Sequence, residues 1–517
     1  MALRRLGIAG ALTAALAAAA AAAADTPPQP AAAAAATAAA RPAATANAPA
    51  APASASAVVP AGELPRGRLI ERVSCADQPD QGYALYLPAA YRRDLAWPIV
   101  YVLDPRGRGK AAAERFQAGA ERFGYVVASS YGSASDAPLR LTLLAMQAMW
   151  RDTHSRLRID DRRVYAAGFS GTVRAAVLLA RDAPGTFAGI VGAGAGFPPE
   201  RPPGKDVDFA FFGTVGDTDF NYDEMLDLEA RLAELGLPHR LEIFAGRHQW
   251  PPAELATAAL GWMELLAMQA GRRAADPGVV ESLWRPRLEQ ARALDAAGQA
   301  FDACRAWSQL AADFHGLRPP PELDAAARRA AALAALPAVT GAAKQRRDRT
   351  RRDEEEAARA SHVLTAALRE PGDTLALALP RTLADLRIAE VQRRAKSASD
   401  PEERLSARRL LNSILVQTAF YLPRQAQEHG EHDQAIFCLS IAAEIAPEDA
   451  DVWYNLAAAQ ARRGNRQRAL QALERAVAAG FGDRPGLEND KDFAPLHGEA
   501  AWQRLLESVK AAPAPPS

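Results

Sequence analysis

Three residues in the first half of the chain have the types and the order that nucleophilic catalysis requires: Ser170, Asp219 and His248. A serine hydroxyl attacks a carbonyl carbon when a neighbouring base takes its proton, and histidine is the usual base near neutral pH. A carboxylate then orients the imidazole and stabilises its positive charge. The predicted chemistry is acyl transfer, with Ser170 as the nucleophile, His248 as general base and then acid, and Asp219 as the orienting anion.

The segment around Ser170 predicts a strand, a tight turn and a helix. An apolar run at 164–167 is typical of a buried strand, and an Ala/Leu-rich helical segment follows the turn. Gly168 and Gly171 flank the serine where a Cβ would strike the neighbouring backbone. This pattern predicts a nucleophile elbow, although the usual G-x-S-x-G has glycine where this chain has Thr172. A purely structural Ser-Gly turn is the competing interpretation.

The candidate acid and base each follow a predicted strand. Asp219 lies 49 residues after Ser170, and His248 lies 29 residues after Asp219. Each interval has room for about one strand–helix unit, so all three side chains are expected at the edge where parallel strands end. Asp217 shares the loop of Asp219 and is the alternative acid. An ordinary surface-loop histidine is the competing interpretation of His248.

An oxyanion hole for this reaction needs two backbone N–H donors. Gly171, directly after the nucleophile, is expected to supply one. The loop after the strand at 97–104 is expected to supply the other, and Arg106 is the first candidate because Pro105 has no N–H. An ordinary basic turn explains this loop equally well. If the oxyanion interpretation holds, three arginines stand near the mouth of the site and favour an anionic substrate: Arg106, Arg108 and Arg247.

The elements that must position these residues alternate between strand and helix across residues 63–271. The predicted strands are 83–88, 97–104, 125–130, 164–167, 188–193, 207–213 and 239–244. The predicted helices between them are 111–123, 140–158, the segment after Ser170, 222–235 and 252–269. This alternation predicts an α/β fold with a doubly wound, mostly parallel sheet. Alternating polarity at 83–88 further predicts a half-exposed strand.

The rest of the chain predicts an all-α region. Residues 272–416 have helical composition, with breaks at 319–321 and 371–372, and are interpreted as degenerate repeats. Within 417–510 a repeat is explicit, because three small residues recur with a period of 34: Gly430, Ala435 and Ala442 recur as Gly464, Ala469 and Ala476. This period predicts tetratricopeptide repeats, each a helix–turn–helix unit. A generic amphipathic hairpin is the competing interpretation.

The terminal segments predict export. Residues 1–24 combine Arg4 and Arg5 with an Ala/Leu run and a small-residue cleavage site, as in a signal peptide. An uncleaved membrane anchor is the alternative, although alanine is only weakly apolar. Residues 25–62 are an Ala/Pro-rich tract predicted to be a disordered tether, and 511–517 a disordered tail. The mature protein is therefore expected to be periplasmic or secreted.

Composition excludes several other classes of function. The 61 basic and 61 acidic residues of the 517-residue chain cancel, which argues against binding to nucleic acid. The three cysteines are widely spaced and show no metal-ligand pattern, so the cysteines predict no metal site. Cys438, inside a repeat, is interpreted as a small buried hydrophobe. No segment after the signal peptide has the length and apolarity of a membrane span.

Residues 66–270 resemble α/β-hydrolases of the esterase type and are similar to feruloyl-esterase and dienelactone-hydrolase relatives. The resemblance is carried by the sequences at 83–88, 168–171, 219–222 and 246–251. It implies hydrolysis of an ester-bearing small molecule or peptide without metal or cofactor. Residues 417–510 resemble tetratricopeptide arrays, which implies a protein partner. The alternative function is a catalytically idle hydrolase fold that serves as a binding scaffold.

Overall fold

The computed structural model describes residues 64–135 and 137–509. The predicted signal peptide (1–24), tether (25–62) and tail (511–517) lie outside the described residues. No helix in the described part of the chain is long and apolar enough to span a membrane.

The first half of the chain forms one eight-stranded sheet in the order β1-β2-β4-β3-β5-β6-β7-β8. Strands β3 to β8 are parallel, β2 is antiparallel to β4, and β1 is antiparallel to β2. The predicted mostly parallel sheet is therefore confirmed. The strands are β1 (Leu69–Ser74), β2 (Gly82–Tyr86), β3 (Trp97–Leu103), β4 (Val126–Ser130), β5 (Ile159–Phe169), β6 (Gly189–Ala193), β7 (Ala210–Gly216) and β8 (His239–Phe244).

Helices cover both faces of this sheet. They are α1 (Gly109–Phe123), α2 (Leu139–Arg156), α3 (Gly171–Asp182), α4 (Tyr222–Glu234) and α5 (Ala253–Gln269). Helices α2, α3 and α4 bury Met146, Val173 and Met225 in one apolar core, while α1 and α5 bury Phe116 and Leu260 in the other. The two cores make the sheet doubly wound and buried on both faces, as a parallel sheet requires.

Four strands differ from the expectations. Strand β2 was expected to be half exposed, but all five of its residues are buried, because it lies between β1 and β4 under covering helices. Strand β5 begins at Ile159, before the apolar run at 164–167. The four residues after Ile159 are all charged, so they hide the apolar pattern expected of a buried strand. Strand β1 was not predicted at all. Strand β7 was predicted at 207–213 but spans Ala210–Gly216, so it ends three residues later, directly before the loop of Asp217 and Asp219.

The second half is helical throughout its described length. Its helices are α6 (Pro277–Ala296), α7 (Ala300–Asp313), α8 (Pro320–Ala334), α9 (Pro337–Ala367), α10 (Leu375–Asp385), α11 (Ile388–Ser397), α12 (Pro401–Val416), α13 (Leu422–Glu428), α14 (His432–Ile445), α15 (Ala450–Arg462), α16 (Arg466–Ala478), α17 (Arg484–Asn489) and α18 (Ala500–Ser508). A π-helical turn (Gln417–Tyr421) joins α12 to α13, and short 3-10 turns occupy Gly372–Thr374 and Lys491–Leu496.

The apolar core beneath α5 continues past residue 271. Trp284 of α6 and Phe314, directly after α7, join the same core as α5, with their rings 5.0 Å apart. Asp313 of α7 accepts a hydrogen bond from the indole N–H of Trp262 on α5 (2.8 Å), and it pairs with Arg240 of β8. The boundary predicted at residue 271 therefore lies within a continuous core, and α6 to α8 pack directly on the sheet-bearing half.

Candidate active site

Ser170 occupies a sharp turn between β5 and α3. Its φ of 57° and ψ of −135° lie in a region that residues with a Cβ rarely adopt. The Ser170 N–H donates to the carbonyl oxygen of Ala193 at the end of β6 (2.8 Å), which holds the strained turn in place. Such strain at a residue between a strand and a helix is the geometry of a nucleophile elbow.

The glycines on either side of Ser170 have the steric role predicted for them. A Cβ at Gly168 would lie 2.7 Å from the backbone nitrogen of Val173, because the start of α3 passes directly over it. A Cβ at Gly171 would lie 2.9 Å from the hydroxyl oxygen of Ser135, in the loop after β4. Both approaches are too close for any other residue type without a shift of the backbone or of Ser135.

Thr172, the departure from the usual pattern, is wholly buried and fully bonded. Its hydroxyl donates to the carbonyl oxygen of Leu103 at the end of β3 (2.6 Å) and accepts from the Phe169 N–H (3.1 Å). The threonine thus ties the elbow to the neighbouring strand. Its side chain occupies the close-packed position without disrupting the turn.

His248 and Asp219 form a direct pair. The Nδ1 atom of His248 lies 2.9 and 3.0 Å from the two carboxylate oxygens of Asp219, which is 0% exposed. Asp219 also accepts from the Asn221 backbone N–H (2.8 Å). Because the carboxylate can only accept, Nδ1 carries the proton and Nε2 presents its lone pair.

The imidazole of His248 is held in place by neighbours that the sequence did not identify. The rings of Phe169 and Phe220 pack on it with centroid distances of 4.6 and 4.3 Å. A Cβ at Gly194 would lie 3.0 Å from the imidazole and 3.1 Å from Asp219. The Gly194 carbonyl also accepts from the Asn221 side chain (2.7 Å). The available signal for Gly194 was its position directly after a predicted parallel strand, where ligand sites form.

The same neighbours bring His248 to the elbow. Phe169 immediately precedes Ser170, and Gly194 follows the residue that accepts the Ser170 N–H, so both sides of the elbow contact the imidazole. Among the described residues, neither the Ser170 hydroxyl nor the His248 Nε2 has a hydrogen-bond partner, and both atoms are buried. The Ser170 hydroxyl is therefore a donor, and the His248 Nε2 an acceptor, that make no hydrogen bond among the described residues and lie at the same end of the sheet.

Asp217, the alternative acid, contacts a different part of the site. Its carboxylate accepts from the Gly246 N–H (3.0 Å), in the loop that leads to His248. Asp217 therefore joins its own loop to the loop that leads to His248, whereas Asp219 contacts the imidazole of His248.

The predicted second oxyanion donor is engaged elsewhere. The Arg106 N–H donates to the Asp104 carboxylate (2.9 Å), and the Gly107 N–H donates to the Asp104 carbonyl (3.1 Å). The expectation for Arg106 is thus not supported by the geometry, because an aspartate at the start of a loop folds the following N–H groups onto itself. Gly171 is the first residue of α3, where helix geometry leaves the N–H without an intrahelical acceptor.

Asp104 organises the loop beside the elbow. Its buried carboxylate accepts from the Arg108 guanidinium (3.0 Å) and the Trp250 indole (2.8 Å). Burial acts to raise the pKa of Asp104, but these bonds together with the Arg106 N–H outweigh it and hold the pKa below its usual value. The charge of Arg108 is therefore paired within the loop, which leaves the expectation that Arg108 favours an anionic substrate without support.

Comparison with known proteins identifies structural neighbours only. No protein-family model matches the chain, and no curated protein sequence matches it. Similar solved structures include an S-formylglutathione hydrolase from Staphylococcus aureus (17% identity, TM-score 0.32, 39% of this chain and 99% of that one). A ferulic acid esterase is also similar, with 14% identity and a TM-score of 0.31 over 37% of this chain and 95% of that one. An arylesterase has 15% identity and a TM-score of 0.30 over 40% of this chain and 87% of that one. The eight-stranded, mostly parallel sheet with helices on both faces is a doubly wound α/β fold.

Proposed function

We propose that the chain is an exported serine hydrolase that cleaves a carboxylic ester with Ser170, His248 and Asp219. The observation that carries the proposal is the strained Ser170 turn beside a histidine whose Nδ1 is bonded to a buried aspartate. The export part of the proposal is supported by the signal-peptide pattern of residues 1–24.

Acylation follows from the arrangement of these atoms. His248 Nε2 takes the proton of the Ser170 hydroxyl while Oγ attacks the ester carbonyl carbon. The carbonyl π electrons move to oxygen, and the Gly171 N–H at the start of α3 stabilises the resulting oxyanion. The Asp219 carboxylate stabilises the imidazolium. When the intermediate collapses, the C–O bond to the alcohol breaks, and His248 returns its proton to the leaving alkoxide.

Deacylation repeats the sequence with water as the nucleophile. His248 removes a proton from a water molecule, whose oxygen attacks the acyl carbon bound to Ser170. Collapse of this second intermediate breaks the bond between the acyl carbon and Oγ. The proton on His248 passes to Oγ, which releases the carboxylic acid and restores Ser170.

A fluorophosphonate probe tests the proposal directly. We expect the full-length protein to gain one adduct by intact mass, located at Ser170 by peptide mapping, and to hydrolyse p-nitrophenyl acetate. The Ser170→Ala variant is the matched control and should show neither property. Absence of a Ser170 adduct in folded wild-type protein would contradict the assignment.

One observation favours the second candidate function, an idle hydrolase fold that acts as a scaffold. Ser170 is 0% exposed and His248 is 2% exposed, so neither side chain is open to a substrate in this conformation. The idle fold predicts no labelling and no turnover, together with full partner binding by Ser170→Ala. The labelling experiment therefore separates the two candidates.

We further propose that the repeats form a tetratricopeptide surface that holds a protein or peptide. Supporting this, the repeated alanines Ala435, Ala442, Ala469 and Ala476 are all wholly buried. Gly430 and Gly464 each lie two residues after the end of a helix, with positive φ of 75° and 85°. Peptide-library binding to the full chain should be lost on Ala469→Met, which overpacks the helix pair, and retained by the exposed control Gln471→Met. Binding unaffected by Ala469→Met would contradict it.

A further inference from the structure

The loop that carries Asp219 lies against helix α12 of the second half. The Arg409 guanidinium donates to the Asp217 carbonyl oxygen (3.0 Å), and the Asn412 side-chain amide donates to the Thr218 carbonyl oxygen (2.7 Å). These are the two peptide carbonyls that directly precede Asp219. Residues 192 and 194 positions away in sequence thus hold the backbone beside the candidate acid.

Arg409 is a fixed donor and not a mobile surface side chain. It is 4% exposed and pairs with the Asp353 carboxylate of α9 (2.6 Å). It also donates to the Ser406 hydroxyl (2.8 Å) and lies over the Tyr222 ring at 4.4 Å. Because the guanidinium presents its donors in a rigid fork, these contacts fix the direction of the N–H that reaches Asp217.

The opposite side of the loop is held by the sheet-bearing half. The Asp217 N–H donates to the Phe244 carbonyl (2.8 Å), and the Thr218 N–H donates to the Gly246 carbonyl (3.0 Å). The N–H groups of these two residues are thus bonded to the end of β8 and to the loop after it, and their carbonyls are bonded to α12. The position of Asp219 depends on both sets of bonds.

We propose that Arg409 and Asn412 are positioning residues, through which the helical half holds Asp219 in register with His248. The inference rests on the proposed function and adds to it a dependence of the reaction on the second half. Neither residue touches the reacting atoms, so each acts through Asp219. A misplacement of about 1 Å at a catalytic group can cost on the order of 10²-fold in rate, which is enough to make this support visible in kinetics.

The test uses full-length protein and a double-mutant cycle. Asn412→Asp keeps the side-chain shape but turns an oxygen toward the Thr218 carbonyl, and Arg409→Lys keeps the charge but loses the fork. We expect kcat for p-nitrophenyl acetate to fall by about 10- to 100-fold in Asn412→Asp, and less in Arg409→Lys, with KM unchanged. In an Asp219→Asn background the same substitutions should have no further effect, because the group they position is already lost.

The matched control is another contact between the halves. Arg305 of α7 donates to Glu229 of α4 (2.8 Å), away from the loop of Asp219. Arg305→Ala should leave kcat unchanged. An unchanged kcat in Asn412→Asp, or a loss that adds fully to that of Asp219→Asn, would overturn the inference while leaving Ser170 labelling intact. Failure of the proposed function is distinct, since it appears as absent labelling of the wild-type protein.

Discussion

The hydroxyl of Thr172 donates to the carbonyl oxygen of Leu103 across 2.6 Å, and this bond joins the elbow to the end of the adjacent strand. Leu103 is also the last residue before the Asp104 loop, so the bond links the Ser170 turn to the loop beside it. Thr172, at the position where the usual motif has glycine, therefore makes a buried hydrogen bond between the turn and the strand.

Removing the hydrogen bond between Thr172 and Leu103 should destabilise the fold. Thr172→Val keeps the shape but removes the hydroxyl that bonds the Leu103 carbonyl and the Phe169 N–H, at a cost of about 1–3 kcal/mol. Thr172→Ser retains the hydroxyl and should cost much less. Urea unfolding of the two variants checks this, and equal stabilities would show that the hydroxyl contributes nothing.

Two substitutions of Ser170 separate its effect on turnover from the effect of its strained backbone on stability. Ser170→Ala should reduce turnover by on the order of 10⁶-fold, as for removal of a nucleophile that acts within a triad. Ser170→Gly should be equally inactive but more stable than Ser170→Ala by about 1–3 kcal/mol, since glycine adopts φ near 57° without strain. Activity assays and denaturant unfolding measure the two effects. Retained hydrolysis by either variant would refute the nucleophile assignment.

The two aspartates of one loop should differ sharply. Asp219→Asn should lower kcat by around 10⁴-fold, because the amide favours the wrong imidazole tautomer. Asp217→Asn should lower it much less, since the Asp217 carboxylate bonds a backbone N–H and not the imidazole. Steady-state kinetics of both variants decides between them, and the reverse order would move the acid by two residues.

A buried carboxyl on α4 should make stability depend on pH. Burial raises the pKa of Asp223 to about 7; Arg409 opposes this rise, while Asp353, Glu354 and Asp227 add to it. The folded protein therefore holds a proton that the unfolded chain, with the ordinary value of 3.8, releases earlier. The contribution of Asp223 to the free energy of unfolding should therefore fall as pH rises from about 4 to about 7 and stay constant above that.

Asp223→Asn removes this titration. The stability of the variant relative to wild type should increase between pH 5 and pH 7 and stay constant above that range. Urea unfolding at pH 5, 6, 7 and 8 measures the difference. Parallel pH dependences for the two proteins would show that Asp223 does not titrate in this window.

Residues 63–271 contain Ser170, Asp219 and His248, but the second half packs on this segment and should be needed for it to fold. A fragment ending at 271 would expose the face of α5 that Trp284 and Phe314 cover, so we expect it to aggregate. A fragment of residues 63–336 retains α6 to α8 and should be soluble, with a reduced kcat because α12 is missing. Size-exclusion chromatography and ester hydrolysis of both fragments check this. A monomeric 63–271 fragment with the full-length rate would contradict it.

Local patterns in the sequence determined much of the first half. Apolar runs and helical spacing locate seven of the strands, because each element must bury its own apolar face. The small residues around Ser170 indicated the elbow, since only glycine fits where Val173 approaches Gly168. The order of Ser170, Asp219 and His248 indicated which side chains follow strands at one end of the parallel sheet, and of these Asp219 and His248 are in direct contact.

Tertiary structure decided what no local pattern encodes. Asp217 and Asp219 are two residues apart in one loop, and only the folded loop directs one carboxylate to His248 and the other to Gly246. The Asp104 carboxylate takes the Arg106 N–H through the conformation of its own turn. Arg409 reaches the Asp217 carbonyl across 192 residues, because α12 packs against that loop in the fold. Periodicity reports which face of an element is buried, whereas the partner across that face is set by the packing of the whole chain.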